Sequence, residues 1–287
     1  MISPWRPEDP TGQTAGRVER RIREYGASRA VVAFSGGVDS AVVVALAARA
    51  LGAGAVTSVT AVSASYPDGE FEQARRVAES LGVEHRRVDT GEVEREAYAR
   101  NDSMRCFHCK MELYTTLRRL RSLATEPDAV LLAGANADDL DDFRPGLRAA
   151  DELGVRNPLL EEGVGKSTVR SVARLLGLAV ADKPALACLS SRVAFGIRIT
   201  PELLERIDRA EQAVRALGFR DVRVRHLGRE ARIEVHASEV GRLVSDQRFP
   251  GLLGVIRGLG WDEVTVDPDG YRMGSINATL VNLGPSA

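Results

Sequence analysis

The hexapeptide Ser35-Gly36-Gly37-Val38-Asp39-Ser40 lies between an apolar run, Ala30 to Phe34, and an apolar helical stretch that reaches Leu51. Two adjacent glycines let backbone N–H groups turn inward and approach an anion closely. A helix starting near Val38 adds its N-terminal dipole, equivalent to roughly half an elementary charge. Ser35 and Ser40 offer hydroxyl donors, and Asp39 offers a carboxylate able to hold Mg²⁺. These pieces suit a pyrophosphate. A plain glycine turn with a serine cap is the blander alternative, and the flanking strand and helix argue against it.

The three cysteines all sit in polar or cationic settings: Arg105-Cys106-Phe107-His108-Cys109-Lys110, and Cys188 in Asp182-Lys183-Pro184-Ala185-Leu186-Ala187-Cys188-Leu189-Ser190-Ser191-Arg192. Positive neighbours favour the thiolate, the form that attacks or binds metal. Three readings compete. The thiols are structural; or three Cys and His108 bind zinc, although His108 lies awkwardly inside the CxxC loop; or three thiolates hold a four-iron cluster, leaving one iron open for an extra sulfide. The last is favoured. Three of the 39 basic residues are Lys and 36 are Arg. An Arg-biased genome explains the imbalance, yet Lys110 and Lys183 both lie within five residues of a Cys, and an amine is not interchangeable with guanidinium. A further run, Gly163-Val164-Gly165-Lys166-Ser167, imitates the end of a Walker A loop. The opening glycine of that motif would fall on Leu160 and no clear strand precedes it, so a loop with a helix start is expected.

Strands are expected at Ala30–Phe34, Val56–Val62, Val83–Val88 and Ala129–Ala133, with helices at 14–25, from the hexapeptide to Leu51, at 70–81 and at 107–123. This alternation gives an α/β fold, a parallel sheet with helices on both faces. Ligands in such sheets bind at the carboxyl ends of strands, where the loops beginning at Ser35, Ser63 and Gly134 would lie. Past residue 195 the pattern becomes that of a small α+β domain, so the expected division is 1–195 and 196–287. Residues 139–165 and 181–199 carry many turn formers and read as loops or linkers. The longest apolar run, Ala41 to Ala48, is too short to span a bilayer. The N-terminus lacks a secretory apolar stretch, so a cytoplasmic protein is expected.

The hexapeptide resembles the PP-loop of ATP pyrophosphatases, which cleave ATP between the α and β phosphates. Further segments join it: Gly134-Ala135-Asn136-Ala137-Asp138-Asp139 with Arg144-Pro145-Gly146, the Cys188 segment, and Gly270-Tyr271-Arg272-Met273-Gly274-Ser275-Ile276-Asn277. Together they resemble the LarE family, ATP-dependent sulfur transferases that act in making the nickel-pincer nucleotide. The resemblance covers nearly the whole chain. It implies that a pyridinium biscarboxylate mononucleotide is adenylylated on a carboxylate, that pyrophosphate leaves, and that sulfur then replaces AMP. It implies ATP contacts from residues 35–40 with Gly134, Asn136, Asp139 and Arg144, and Mg²⁺ on Asp39. Many members sacrifice the sulfur of the cysteine matching Cys188. This chain, with Cys106 and Cys109 in addition, resembles the branch in which three cysteines hold a [4Fe–4S] cluster carrying a non-core sulfide. Sulfide or a cysteine desulfurase would then be the sulfur source.

Arg192 follows Cys188 by four residues, and Arg223 and Arg225 alternate with valines, so the latter two share one strand face. Paired guanidiniums suit a phosphate or carboxylate, and the resemblance places all three near substrate; a solvated strand face is the alternative. Glu211 and Glu234 would contribute metal or inter-subunit contacts by the same resemblance, and relatives form multimers, implying a homo-oligomer. A tRNA thiolase is the runner-up. RNA binding calls for a basic face, whereas residues 198–287 hold 13 Arg and 13 acidic residues. A metal- or nucleotide-binding module without activity would not need the loop and the cysteines together, and an amidotransferase-type synthetase would not need the cysteines. Trp5 and Trp261 read as structural.

Overall fold

The computed structural model describes residues 9–123, 128–140, 145–184 and 187–272. Arg144, Trp5 and the Met273–Asn277 part of the ending lie outside them. The chain forms two compact units, one of Met1–Ser63, Gly69–Glu92 and Cys106–Leu186, the other of Ala64–Asp68, Val93–Arg105 and Ala187–Ala287.

In the first unit, α1 (Pro10–Glu24) leads to β1 (Ala30–Ala33), α2 (Val38–Leu51), β2 (Val56–Val62), α3 (Glu70–Ser80) and β3 (Glu84–Asp89). After a short α4 (Glu96–Ala99) of the second unit, the chain returns through α5 (Arg105–Leu123), β4 (Val130–Leu132), α6 (Pro145–Leu153), α7 (Pro158–Glu161) and α8 (Lys166–Leu175). The sheet order is β3-β2-β1-β4, every pairing parallel. Pleating sends Val32 into one apolar cluster with α1, α2 and α8, and Val31 into another with Tyr114, Leu117, Ala149 and Ala150 of α5 and α6. Helices therefore cover both faces, as expected. Residues Ala41–Ala47 of α2 are all buried, which is why that helix is apolar all round. The sheet grows outward from β1 in both directions, through β2 on one side and β4 on the other. The crevice between their carboxyl ends is the topological switch point where such sheets bind ligands.

Residues 139–165, expected to be loops, contain α6 and α7. The turn formers misled because Pro145 and Pro158 open these helices, where the missing N–H costs nothing.

The second unit holds α9 (Pro201–Arg215), β5 (Arg223–Leu227), β6 (Glu230–Glu234), α10 (Val240–Ser245), α11 (Phe249–Gly258) and β7 (Glu263–Val266). Its sheet runs β5-β6-β7, antiparallel then parallel. Thr200 caps α9 by accepting from Leu203 N–H, and Leu204, Ile207, Val224 and Ile233 fill the core. Segment 93–105 is stitched to 187–199 by polar bonds. Asn101, the one non-glycine of positive φ (58°) among the described residues, is buried and donates through Nδ2 to the carbonyls of Ala194 (2.9 Å) and Ile197 (3.0 Å).

Candidate active site

The first unit places Ser35–Ser40 as a turn from the carboxyl end of β1 into the first turn of α2. Gly36 has φ of +76°, a left-handed backbone that only glycine adopts freely. Ser35 and Ser40 brace the turn from inside. Ser35 N–H donates to Ser40 Oγ at 3.3 Å, Gly37 N–H to Ser35 Oγ at 3.3 Å, and Ser40 Oγ to the Gly37 carbonyl at 3.1 Å. The first intrahelical bond runs from Ala41 N–H to the Gly37 carbonyl, so the N–H groups of Val38, Asp39 and Ser40 precede it and point toward the helix mouth.

The loop after β4 lies against this turn because β4 pairs directly with β1. A Cβ on Gly134 would stand 2.7 Å from Ser40 N and 3.0 Å from the Asp39 carbonyl carbon, so glycine is what lets the two backbones meet. Asn136 is buried and its Nδ2 donates to Asp39 Oδ1 at 3.1 Å. Asp139 Oδ2 accepts from Asn136 N–H at 3.0 Å, and Asn136 Oδ1 accepts from Asp138 N–H at 3.0 Å. The expected Gly134, Asn136 and Asp139 are thus brought to the expected loop.

Lys166, expected where a loop passes into a helix and found as the first residue of α8, is brought there too. Its Nζ pairs with Asp39 Oδ2, and its N–H, in the first turn of α8, donates to Asp138 Oδ2 at 2.9 Å. The signal was the Gly-x-Gly-Lys-Ser run itself. The run is no Walker A loop, but its helix supplies a second wall to the cradle.

Cys106 and Cys109 occupy the first turn of α5, three residues apart and hence on one helical face. Cys106 is exposed and Cys109 half-buried. Cys188, half-buried, lies in the second unit just ahead of a short 3₁₀ turn, Leu189–Arg192. None of the three thiols is in a disulfide. Among the described residues no group of three His, Cys, Asp or Glu is spaced to hold a metal ion. Each of the three is a soft sulfur donor of the kind that ligates iron–sulfur clusters, and none is spent in a disulfide. Asp39, with both oxygens facing the cradle's polar groups, is of the type that binds Mg²⁺.

Arg192, Arg223 and Arg225 are not a solvated face; all three are buried in the second unit. Arg192, at 1% exposure, donates through Nε to Glu211 Oε1 at 2.8 Å and through Nη1 to the carbonyls of Ala187 (2.7 Å) and Cys188 (3.0 Å). Arg225 pairs with Glu234 at 2.8 Å and donates to the Ser191 carbonyl at 2.9 Å. Arg105 donates to the Ser190 carbonyl at 2.9 Å. Three guanidiniums, two of them from distant parts of the chain, therefore hold the carbonyls of the Cys188 segment, and Arg105 carried no signal of this in the sequence. Arg223 and Arg225 share one strand face, as their alternation implied, and both stack over Tyr271, at 5.1 and 5.9 Å. Glu211 is driven upward by burial, but Arg192, Arg215 and Arg223 outweigh this and hold its carboxyl below the usual range. Arg223 is lowered by burial first and then by Arg192.

The NAD synthase family matches residues 13–120, which carry the phosphate loop. The chain is 36% identical over 253 residues to the pyridinium-3,5-bisthiocarboxylic acid mononucleotide synthase of Lactiplantibacillus plantarum, covering 88% of this chain and 90% of that one. An uncharacterized protein of Synechocystis sp. is 43% identical over 252 residues, 88% of this chain and 93% of its own. The NH(3)-dependent NAD(+) synthetase of Methanococcoides burtonii is 43% identical over 69 residues, 24% of this chain and 26% of its own. The fold is thus the PP-loop α/β fold of NAD synthases joined to a small second sheet, and the chain belongs to the LarE family.

Proposed function

We propose that the chain is an ATP-dependent sulfur transferase acting in the cytoplasm on pyridinium-3,5-biscarboxylic acid mononucleotide. The observation that carries this is the cradle at the β1–β4 crevice, where inward N–H groups, Asp39, Asn136 and Lys166 meet. A carboxylate is a poor electrophile and its oxygen a poor leaving group. The loop holds the ATP phosphates so that a substrate carboxylate oxygen attacks the α-phosphorus and pyrophosphate leaves with the electron pair. The N–H groups of Val38, Asp39 and Ser40 and the Lys166 ammonium stabilise the departing charge. Mg²⁺ on Asp39 would polarise the phosphates as a Lewis acid. The acyl adenylate then loses AMP to the sulfur donor, which forms the C–S bond as the C–O bond breaks. Arg192 fixes the backbone of the Cys188 segment, and Arg223 and Arg225 supply a paired cationic face for substrate phosphate or carboxylate. A [4Fe–4S] cluster on Cys106, Cys109 and Cys188 would supply an open iron able to carry sulfide.

Anaerobically purified protein is expected to carry about four irons per chain, and Cys106→Ala, Cys109→Ala and Cys188→Ala each to abolish the stable cluster. One variant with full iron content excludes this ligand set. Loss of H₂S from Cys188 after turnover, read by mass spectrometry, would establish the sacrificial route instead. Asp39→Ala is expected to stop pyrophosphate release and leave iron content unchanged; loss of both would indicate misfolding.

A further inference from the structure

Lysine is scarce in this chain, three against 36 arginines, so a position that keeps lysine does so against a strong background. Two of the three, Lys166 and Lys183, put their ammonium groups on the phosphate loop. Lys166 faces Asp39, as described above. Lys183 reaches a different part of the loop, and the adenylylation chemistry does not by itself account for it.

The Lys183 Nζ donates to the Gly36 carbonyl at 3.3 Å and to Glu70 Oε2 at 2.5 Å. Glu70 stands in the first turn of α3, where an anion is favoured by the helix dipole. Both side chains are largely buried, at 15% and 17% exposure, so the pair is poorly screened and geometrically confined. The backbone that carries Lys183 is pinned as well. Arg170 of α8 donates through Nη1 to the Ala181 carbonyl at 2.6 Å and through Nη2 to the Lys183 carbonyl at 2.9 Å. Helix α8 therefore organises both ammoniums, one from its own first residue and the other through Arg170, one turn on.

The placement has a chemical consequence. A loop that cradles polyanionic phosphate must turn its N–H groups inward and its carbonyls away. The Gly37 carbonyl is held by Ser40 Oγ and Ala41 N–H. The Gly36 carbonyl belongs to the left-handed residue, where glycine leaves the peptide freest to flip. Lys183 is what holds it. A guanidinium, planar and wider, does not converge on a carbonyl and a carboxylate from one point as an ammonium does.

We infer that Lys183 is a positioning residue for ATP, its ammonium bridging the Gly36 carbonyl to Glu70 and so keeping the phosphate loop in its anion-binding form. This rests on the reading of the loop as an ATP site, and the test separates the two. ATP affinity of the full chain is measured by calorimetry, and pyrophosphate release with the pyridinium biscarboxylate mononucleotide is measured in parallel. Lys183→Ala is expected to weaken ATP binding by about 10- to 100-fold, the loss of one charge-assisted hydrogen-bond bridge. Added ethylammonium should recover much of it, and methylguanidinium should not. Lys183→Arg should stay folded and remain weak. ATP affinity of Lys183→Ala equal to the wild type, or a loss that ethylammonium leaves unchanged, overturns the inference. If the alanine variant fails to fold, Lys183→Arg decides, and wild-type affinity there overturns it. Wild-type protein that binds ATP but releases no pyrophosphate would sink the proposed reaction and leave the Lys183 result standing.

Discussion

The two units make their sites from opposite materials. In the first, the phosphate cradle is built mainly of backbone: glycines that turn N–H groups inward, a close approach of Gly134 to Ser40, and side chains at the rim that stay partly open. In the second, the Cys188 segment is held by buried guanidiniums, each matched to a carboxylate or carbonyls. A backbone cradle tolerates a ligand that arrives and leaves, because nothing charged is stranded when it goes. A buried guanidinium network tolerates no such vacancy, since removing one partner leaves an unpaired charge. The first unit is suited to nucleotide turnover and the second to holding one segment still.

Substitutions can break this contrast. Arg192→Leu should have the largest effect on stability, up to about 3–5 kcal/mol, because Glu211 at 0% exposure keeps only Arg215 as a paired guanidinium and the Ala187 and Cys188 carbonyls lose their donor. The double variant Arg192→Leu/Glu211→Leu should recover much of that loss in chemical denaturation. If the single variant is as stable as the wild type, the network is not what holds the segment. Gly134→Ala should cost about 1–3 kcal/mol, since its Cβ meets backbone that cannot swing aside. It should also weaken ATP binding while leaving cluster content unchanged. Equal ATP affinity would show that the β4 loop and the cradle are independent.

The smallest effect is on pH dependence, and each unit carries one group to read it. His85 of the first unit packs on Phe34 and Phe71, and His226 of the second accepts from Trp261 Nε1 at 2.8 Å. Burial, aided by Arg75 in one case and Arg206 in the other, lowers both below the ordinary 6.5. The folded state then binds fewer protons than the unfolded one, so stability is full above pH 6.5 and falls as the pH drops toward the folded values. The slope is at most about 1.4 kcal/mol per pH unit for each histidine. Glu211 adds a second loss only below its ordinary 4.5. Urea midpoints at successive pH values should show the first decline flatten in part with His226→Gln, and an unchanged slope would remove His226 from the account.

The parallel sheet was legible because its strands are short apolar runs separated by helical stretches, and Val56–Val62 is a strand to the residue. The phosphate loop was legible because two glycines between a strand and a helix have few other uses. The pairing of Lys166 with Asp39 was not legible because it spans 127 residues, and a motif describes only near neighbours. Arg105 was missed for the same reason, since its partner Ser190 lies 85 residues on. The helices of 145–161 hid behind prolines that read locally as turns. That 93–105 joins the second unit goes with polar partners such as Asn101 and Tyr98, and that 64–68 does so goes with the Leu189 N–H donated to the Ser65 carbonyl, none of which a local pattern announces.

The most direct test of the account follows one oxygen atom. The pyridinium biscarboxylate mononucleotide is prepared with ¹⁸O in its carboxylates, and AMP from a single turnover is analysed by mass spectrometry. Attack of the carboxylate on the α-phosphorus, followed by displacement by sulfur, must leave one labelled oxygen on the AMP phosphate. Unlabelled AMP, or ADP in its place, would contradict activation at the cradle.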